Sequence, residues 1–81
     1  MQIEEVISKI NNILIEEFEI EVDQIVPEEN MLETLEIDSL DLVDIVVLIE
    51  QHFGFKVDTE DMADIATLQQ FYDYVAARAV D

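Results

Sequence analysis

The chain has no cysteine, one proline, one glycine, one histidine and only three basic residues among 81. Without cysteine, neither a disulfide nor a thiolate metal site can supplement the core, and any thiol chemistry must come from an attached group. Lys9, Lys56 and Arg78 stand against 21 aspartates and glutamates, for a net charge of −18. Nucleic acid is a poor partner for such a surface, because phosphate backbones demand basic groups. Partners with basic patches suit it, and the attraction would speed their encounter. No apolar run approaches membrane length, and the N-terminus lacks the basic and apolar regions of a signal peptide. A cytoplasmic protein that does not insert into membranes is the expectation.

What remains is apolar enough to fold. Half the residues, 51%, are hydrophobic, which argues against disorder despite the charge. Residues 1–81 make one small domain, which buries somewhat over about 60% of its unfolded surface, so its stability is modest. From Ile3 to Phe18 apolar residues recur at three and four (Ile3, Val6, Ile7, Ile10, Ile13, Leu14 and Phe18), with Glu4 and Glu5 in the first turn. That spacing predicts an amphipathic helix. A long connection from Glu19 to Ile37 follows, with a turn at Pro27. Ile20, Val22, Ile25, Val26, Met31, Leu32 and Leu35 are expected to pin it to the core as an ordered loop.

The chain turns on Leu35-Glu36-Ile37-Asp38-Ser39-Leu40-Asp41. Asp38 is a good N-cap, and Asp41 stands where a capping box places its second partner. Ser39 then falls at the first helical position, where the helix dipole and unpaired N–H groups would favour a phosphate ester. The segment Ser39 to Phe53 is rich in β-branched residues. Its length, its caps and Gly54 as a C′ residue nevertheless predict a helix. On the wheel, Leu42, Ile45, Val46, Ile49 and Phe53 form one core stripe. Leu40, Val43 and Val47 form a second stripe, bordered by Asp41, Asp44 and Glu50. With few short helices to cover it, that second stripe is expected to face a partner. A short helix within Val57 to Ile65 is capped by Asp58 or Thr59. A Thr67-x-x-Gln70 box opens the last helix, whose core positions are Leu68, Phe71, Tyr72 and Val75.

The hydrolase reading of Ser39 fails on spacing. His52 lies at the far end of the same helix as Ser39, about 20 Å away and on a roughly opposite face. No Gly-x-Ser-x-Gly elbow is present. An EF-hand counted from Asp58 would have Ala63 where glycine is needed and Gln69 where glutamate is needed, so no specific metal site is expected.

Asp38-Ser39-Leu40, followed by the helix Asp41-Leu42-Val43-Asp44 and ending in Glu50-Gln51-His52-Phe53-Gly54-Phe55, resembles the acyl carrier protein family. The resemblance extends from the first helix to the last. It implies an all-α, antiparallel bundle of three longer helices and one short one, and a carrier rather than a catalyst. It also implies 4′-phosphopantetheine, taken from coenzyme A, on Ser39, with Asp38, Leu40 and Asp41 shaping the attachment turn. A phosphopantetheinyl transferase and acyl-transferring, chain-processing enzymes of the fatty-acid or polyketide type would dock on Leu40, Asp41, Val43, Asp44, Val47 and Glu50. Glu36 stands where the family often has glycine, and Gln51 where an acid is frequent. Peptidyl carriers usually have a Gly-Gly pair before the serine, so an acyl cargo is preferred over an aminoacyl one. The alternatives are that aminoacyl carrier and an unmodified acidic protein that binds a basic partner. A monomer is expected, with cargo sheltered in the seam between the second helix and the short third one, lined by Ile49, Val57, Met62, Ile65 and Phe71.

Overall fold

In the computed structural model, which describes residues 2–79, every regular element is helical apart from one isolated bridge between Asn30 and Thr67. Helix α1 runs Ile3–Phe18, a 3₁₀ turn Val22–Gln24, α2 Met31–Thr34, α3 Ser39–Phe53, α4 Thr59–Ala63 and α5 Leu68–Arg78. The three long helices and the short α4 match the expected bundle, and α1 packs against both α5 and α3. Val6, Ile10, Ile13 and Leu14 of α1 meet Ile45, Val46, Ile49 and Phe53 of α3, and Leu68, Phe71, Tyr72 and Val75 of α5, in one core. No polar or charged residue among those described is buried, so the acids all lie at the surface.

The connection from α1 to α3 carries more structure than periodicity foretold. Asn30 caps α2, its Oδ1 accepting the Glu33 N–H at 3.1 Å, while Met31 and Leu35 are buried at i and i+4. A single turn of helix is the local solution that buries both. The Gln24 side chain accepts the Glu21 N–H at 2.9 Å and the Gln24 N–H donates to the Glu21 carbonyl at 2.9 Å, closing the 3₁₀ turn on which Val22 stands. Val22 is 70% exposed, so it does not pin the loop as expected. Backbone bonds do that work instead. The Met31 N–H donates to the Ala66 carbonyl at 2.8 Å, and the Gln69 N–H to the Pro27 carbonyl at 3.1 Å. Pro27 itself lies in a turn closed by the Glu29 N–H on the Val26 carbonyl at 3.1 Å.

Candidate functional site: the start of helix α3

Asp38 initiates α3 as its spacing demands. Its Oδ1 accepts the N–H groups of Leu40 and Asp41 at 3.0 Å each, and the Asp41 carboxylate accepts the Asp38 N–H at 3.4 Å. The Leu42 N–H already reaches the Asp38 carbonyl at 3.1 Å. Of the first-turn amides, only that of Ser39 has no partner among the described residues. This corrects one expectation, that unpaired N–H groups would hold a phosphate on Ser39. Asp38 has taken those of Leu40 and Asp41, so they are not free to hold a phosphate there. The helix dipole still favours negative charge there.

The residue leading into this turn explains a departure noted in the sequence. Glu36 has φ +57°, in the left-handed region, where the chain leaves α2. The Ile37 N–H reaches back to the Leu32 carbonyl at 3.1 Å. A helix end of this shape favours glycine, because a Cβ strains it. Glu36 accepts the strain and receives a long hydrogen bond from Gln24 Nε2 at 3.5 Å. At the other end of α3, Gly54 takes the same left-handed conformation, φ +76°, and its N–H donates to the Glu50 carbonyl at 3.0 Å.

Ser39 is exposed, and the hydroxyl of the only other serine, Ser8, lies within α1 away from any helix start. Beside Ser39 the second stripe of α3 lies open, with Leu40 75%, Val43 56% and Val47 46% exposed. Asp44 is exposed, and Asp41 and Glu50 are half-buried along the same helix. An exposed hydroxyl on a rigid, capped helix start, beside apolar residues edged with acids, accommodates a covalent arm and a basic partner.

Relatives with this arrangement are known. The family model for the phosphopantetheine attachment site matches residues 8–75. The chain belongs to the acyl carrier protein family. It is 38% identical to the acyl carrier protein of Thermotoga maritima over 89% of each chain. It is 35% identical to that of Rubrobacter xylanophilus over 93% of each. The solved acyl carrier protein of Enterococcus faecalis superposes with a TM-score of 0.77 at 32% identity, over 98% of this chain and all of that one. The family is one of carriers that work with transferases and biosynthetic enzymes, and its cofactor is covalent 4′-phosphopantetheine.

The five residues expected to shelter cargo are dispersed in this carrier. Ile49 and Phe71 are wholly enclosed in the core, Val57 is buried, and Ile65 borders a different depression, beside Asp61 and Tyr74. Met62 alone reaches the apolar cleft between α3 and α4. That cleft, about 160 Å³, is lined by Leu42, Val43, Val46 and Met62. Periodicity had assigned Leu42 and Val46 to the core stripe and Val43 to the docking stripe. The cleft opens between those stripes, which is why neither assignment revealed it. His52 is exposed, near Lys9, Glu16 and Glu17. No described helix is long and apolar enough to cross a membrane.

Proposed function

We propose that Ser39 is the residue that carries 4′-phosphopantetheine, and that the protein delivers acyl groups to biosynthetic enzymes of the fatty-acid or polyketide type without catalysing a step itself. The observation that supports this most is the exposed hydroxyl at the first position of a doubly capped α3, with its amides already committed to Asp38. When attached, the arm supplies a thiol that holds acyl groups as thioesters. Asp38 and Asp41 hold the turn rigid so that the Ser39 Oγ meets the transferase in one geometry.

Leu40, Val43 and Val47 supply apolar contact, and Asp41, Asp44 and Glu50 supply charge, to phosphopantetheinyl transferase and to chain-processing enzymes with basic patches. The carrier acts as a cytoplasmic monomer. Cargo enters between α3 and α4, where Leu42, Val43, Val46 and Met62 offer the nearest apolar shelter. Each sheltered methylene gains about 0.8 kcal/mol. Deeper entry, toward Ile49, Val57, Ile65 and Phe71, requires the flexible Met62 to move aside.

Incubation with coenzyme A and a promiscuous phosphopantetheinyl transferase tests this reading. One arm should be added, and Ser39→Ala should abolish the addition. Modification mapped to Ser8, or none at all, would refute it.

A further inference from the structure

Helix α4 is short, and it is anchored to the rest of the molecule by little apolar surface. Among the described side chains of Thr59–Ala63, only Met62 joins the core. Outside the cleft lining, a polar cluster from α5 grips it. The Tyr74 hydroxyl donates to Asp61 Oδ2 at 2.9 Å and accepts the Asp58 N–H at 3.4 Å, so it holds both the cap and the first turn of α4. Arg78 Nη2 lies 3.7 Å from the same Asp61 oxygen, and its guanidinium stacks 4.0 Å from the centre of the Tyr74 ring. Thus one of the chain's three cations is spent on α4 rather than on the acid-rich α3. The next residue of the same turn, Met62, forms the α4 wall of the cleft.

We infer that Tyr74, Asp61 and Arg78 form a clasp that sets how readily α4 swings away from α3, and thereby how long an acyl chain the cleft admits. The inference rests on the proposal that cargo enters this cleft, and it adds the residues that limit entry. The three act as positioning residues, since none lines the cleft. Asp61 and Met62 are consecutive residues of one helical turn that line different depressions, so releasing Tyr74 loosens the turn that holds the cleft wall without removing any of the wall's own side chains. An exposed ion pair such as Arg78–Asp61 contributes little by itself. The Tyr74 hydroxyl, bonded at two points and half-buried, is the stronger element.

Tyr74→Phe removes both hydrogen bonds and keeps the ring on which Arg78 stacks. In the full-length unmodified protein, amides of α4 and the following turn, such as Met62, Asp64 and Ile65, should exchange roughly fivefold faster, while those of α1 stay unchanged. In the arm-bearing protein loaded with saturated acyl chains of increasing length, the longest chain that still raises Tm should become longer. Asp61→Asn, which retains an acceptor for Tyr74 but loses the charge, should fall between the two proteins. Unchanged exchange at α4, or exchange that accelerates equally throughout, would overturn the clasp. A chain-length limit present in the parent and unmoved by Tyr74→Phe would overturn its role in admitting cargo. If the parent shows no limit because no chain stabilises it, the cargo reading itself fails and the gate fails with it, while α4 exchange still decides the clasp.

Discussion

Two tyrosines separated by a single residue on α5 serve opposite kinds of contact. Tyr72 is buried, faces α1 and donates its hydroxyl proton to Asn11 Oδ1, a partner distant in the chain. It is buried together with Phe71, Leu68 and Val75 of the same helix in the one core. Tyr74 is half-buried, faces α4 and bonds to Asp58 and Asp61. The α4 residue next to Asp61, Met62, borders the cleft. The α1–α5 seam is therefore held by apolar burial with a hydrogen bond added. The α4 attachment combines the Tyr74 and Arg78 contacts with a few apolar anchors, Met62 within the helix and Val57 and Ile65 at its flanks. Apolar burial is strong and insensitive to salt, whereas exposed polar contacts are weak and separately breakable. A carrier needs both, one seam to remain folded and another to yield.

The comparison breaks most visibly if the two seams prove equally costly to damage. Tyr72→Ala should destabilise the protein by about 3–5 kcal/mol in denaturant titrations, as large-to-small changes in a closed core do. Tyr74→Ala should cost well under half of that. Added bulk should discriminate next. Val75→Ile, at a fully enclosed position of α5, should cost about 1–3 kcal/mol through overpacking. Val46→Ile, beside the cleft, should be neutral or stabilising in the same titration, because the extra methyl has space to fill.

Alkali supplies a third test. Burial pushes the Tyr72 hydroxyl from its ordinary value of 10.0 up to about 12, against the opposing effect of its bond to Asn11. Between those pH values the unfolded chain binds fewer protons than the folded one, so stability must fall as pH rises. The contribution is whole below pH 10 and is lost on approach to 12. Tyr72→Phe should remove most of that slope, at a cost of about 1 kcal/mol at neutral pH. The smallest effect should come from Arg78→Ala, about 0.2–1 kcal/mol and vanishing in high salt, since both Arg78 and Asp61 remain substantially exposed.

Much of the fold was legible because helix boundaries are local. Asp38 with Asp41, Thr67 with Gln70, and Gly54 each act on amides or carbonyls within one turn, so their meaning travels with the short motif. The open stripe Leu40, Val43 and Val47 was legible too, as a helix that is apolar on two sides cannot bury both in so small a bundle. The one-turn α2 was missed because its two apolar residues were read only as loop anchors. Val22 was misplaced because hydrophobicity does not say which way a 3₁₀ turn faces.

The sequence by itself determined the three long helices and α4, the caps at Asp38, Gly54 and Thr67, and the place of Ser39 at the head of α3, because each rests on spacing within a few residues. It pointed to the family through a resemblance that runs along the chain. Only the tertiary structure decided that the apolar shelter lies between the two stripes of α3. It also showed that Asp38 had already claimed the amides beside Ser39, and that Tyr74, Asp61 and Arg78 meet around α4. Contacts between separate helices depend on how those helices are set against one another, and no local pattern encodes that.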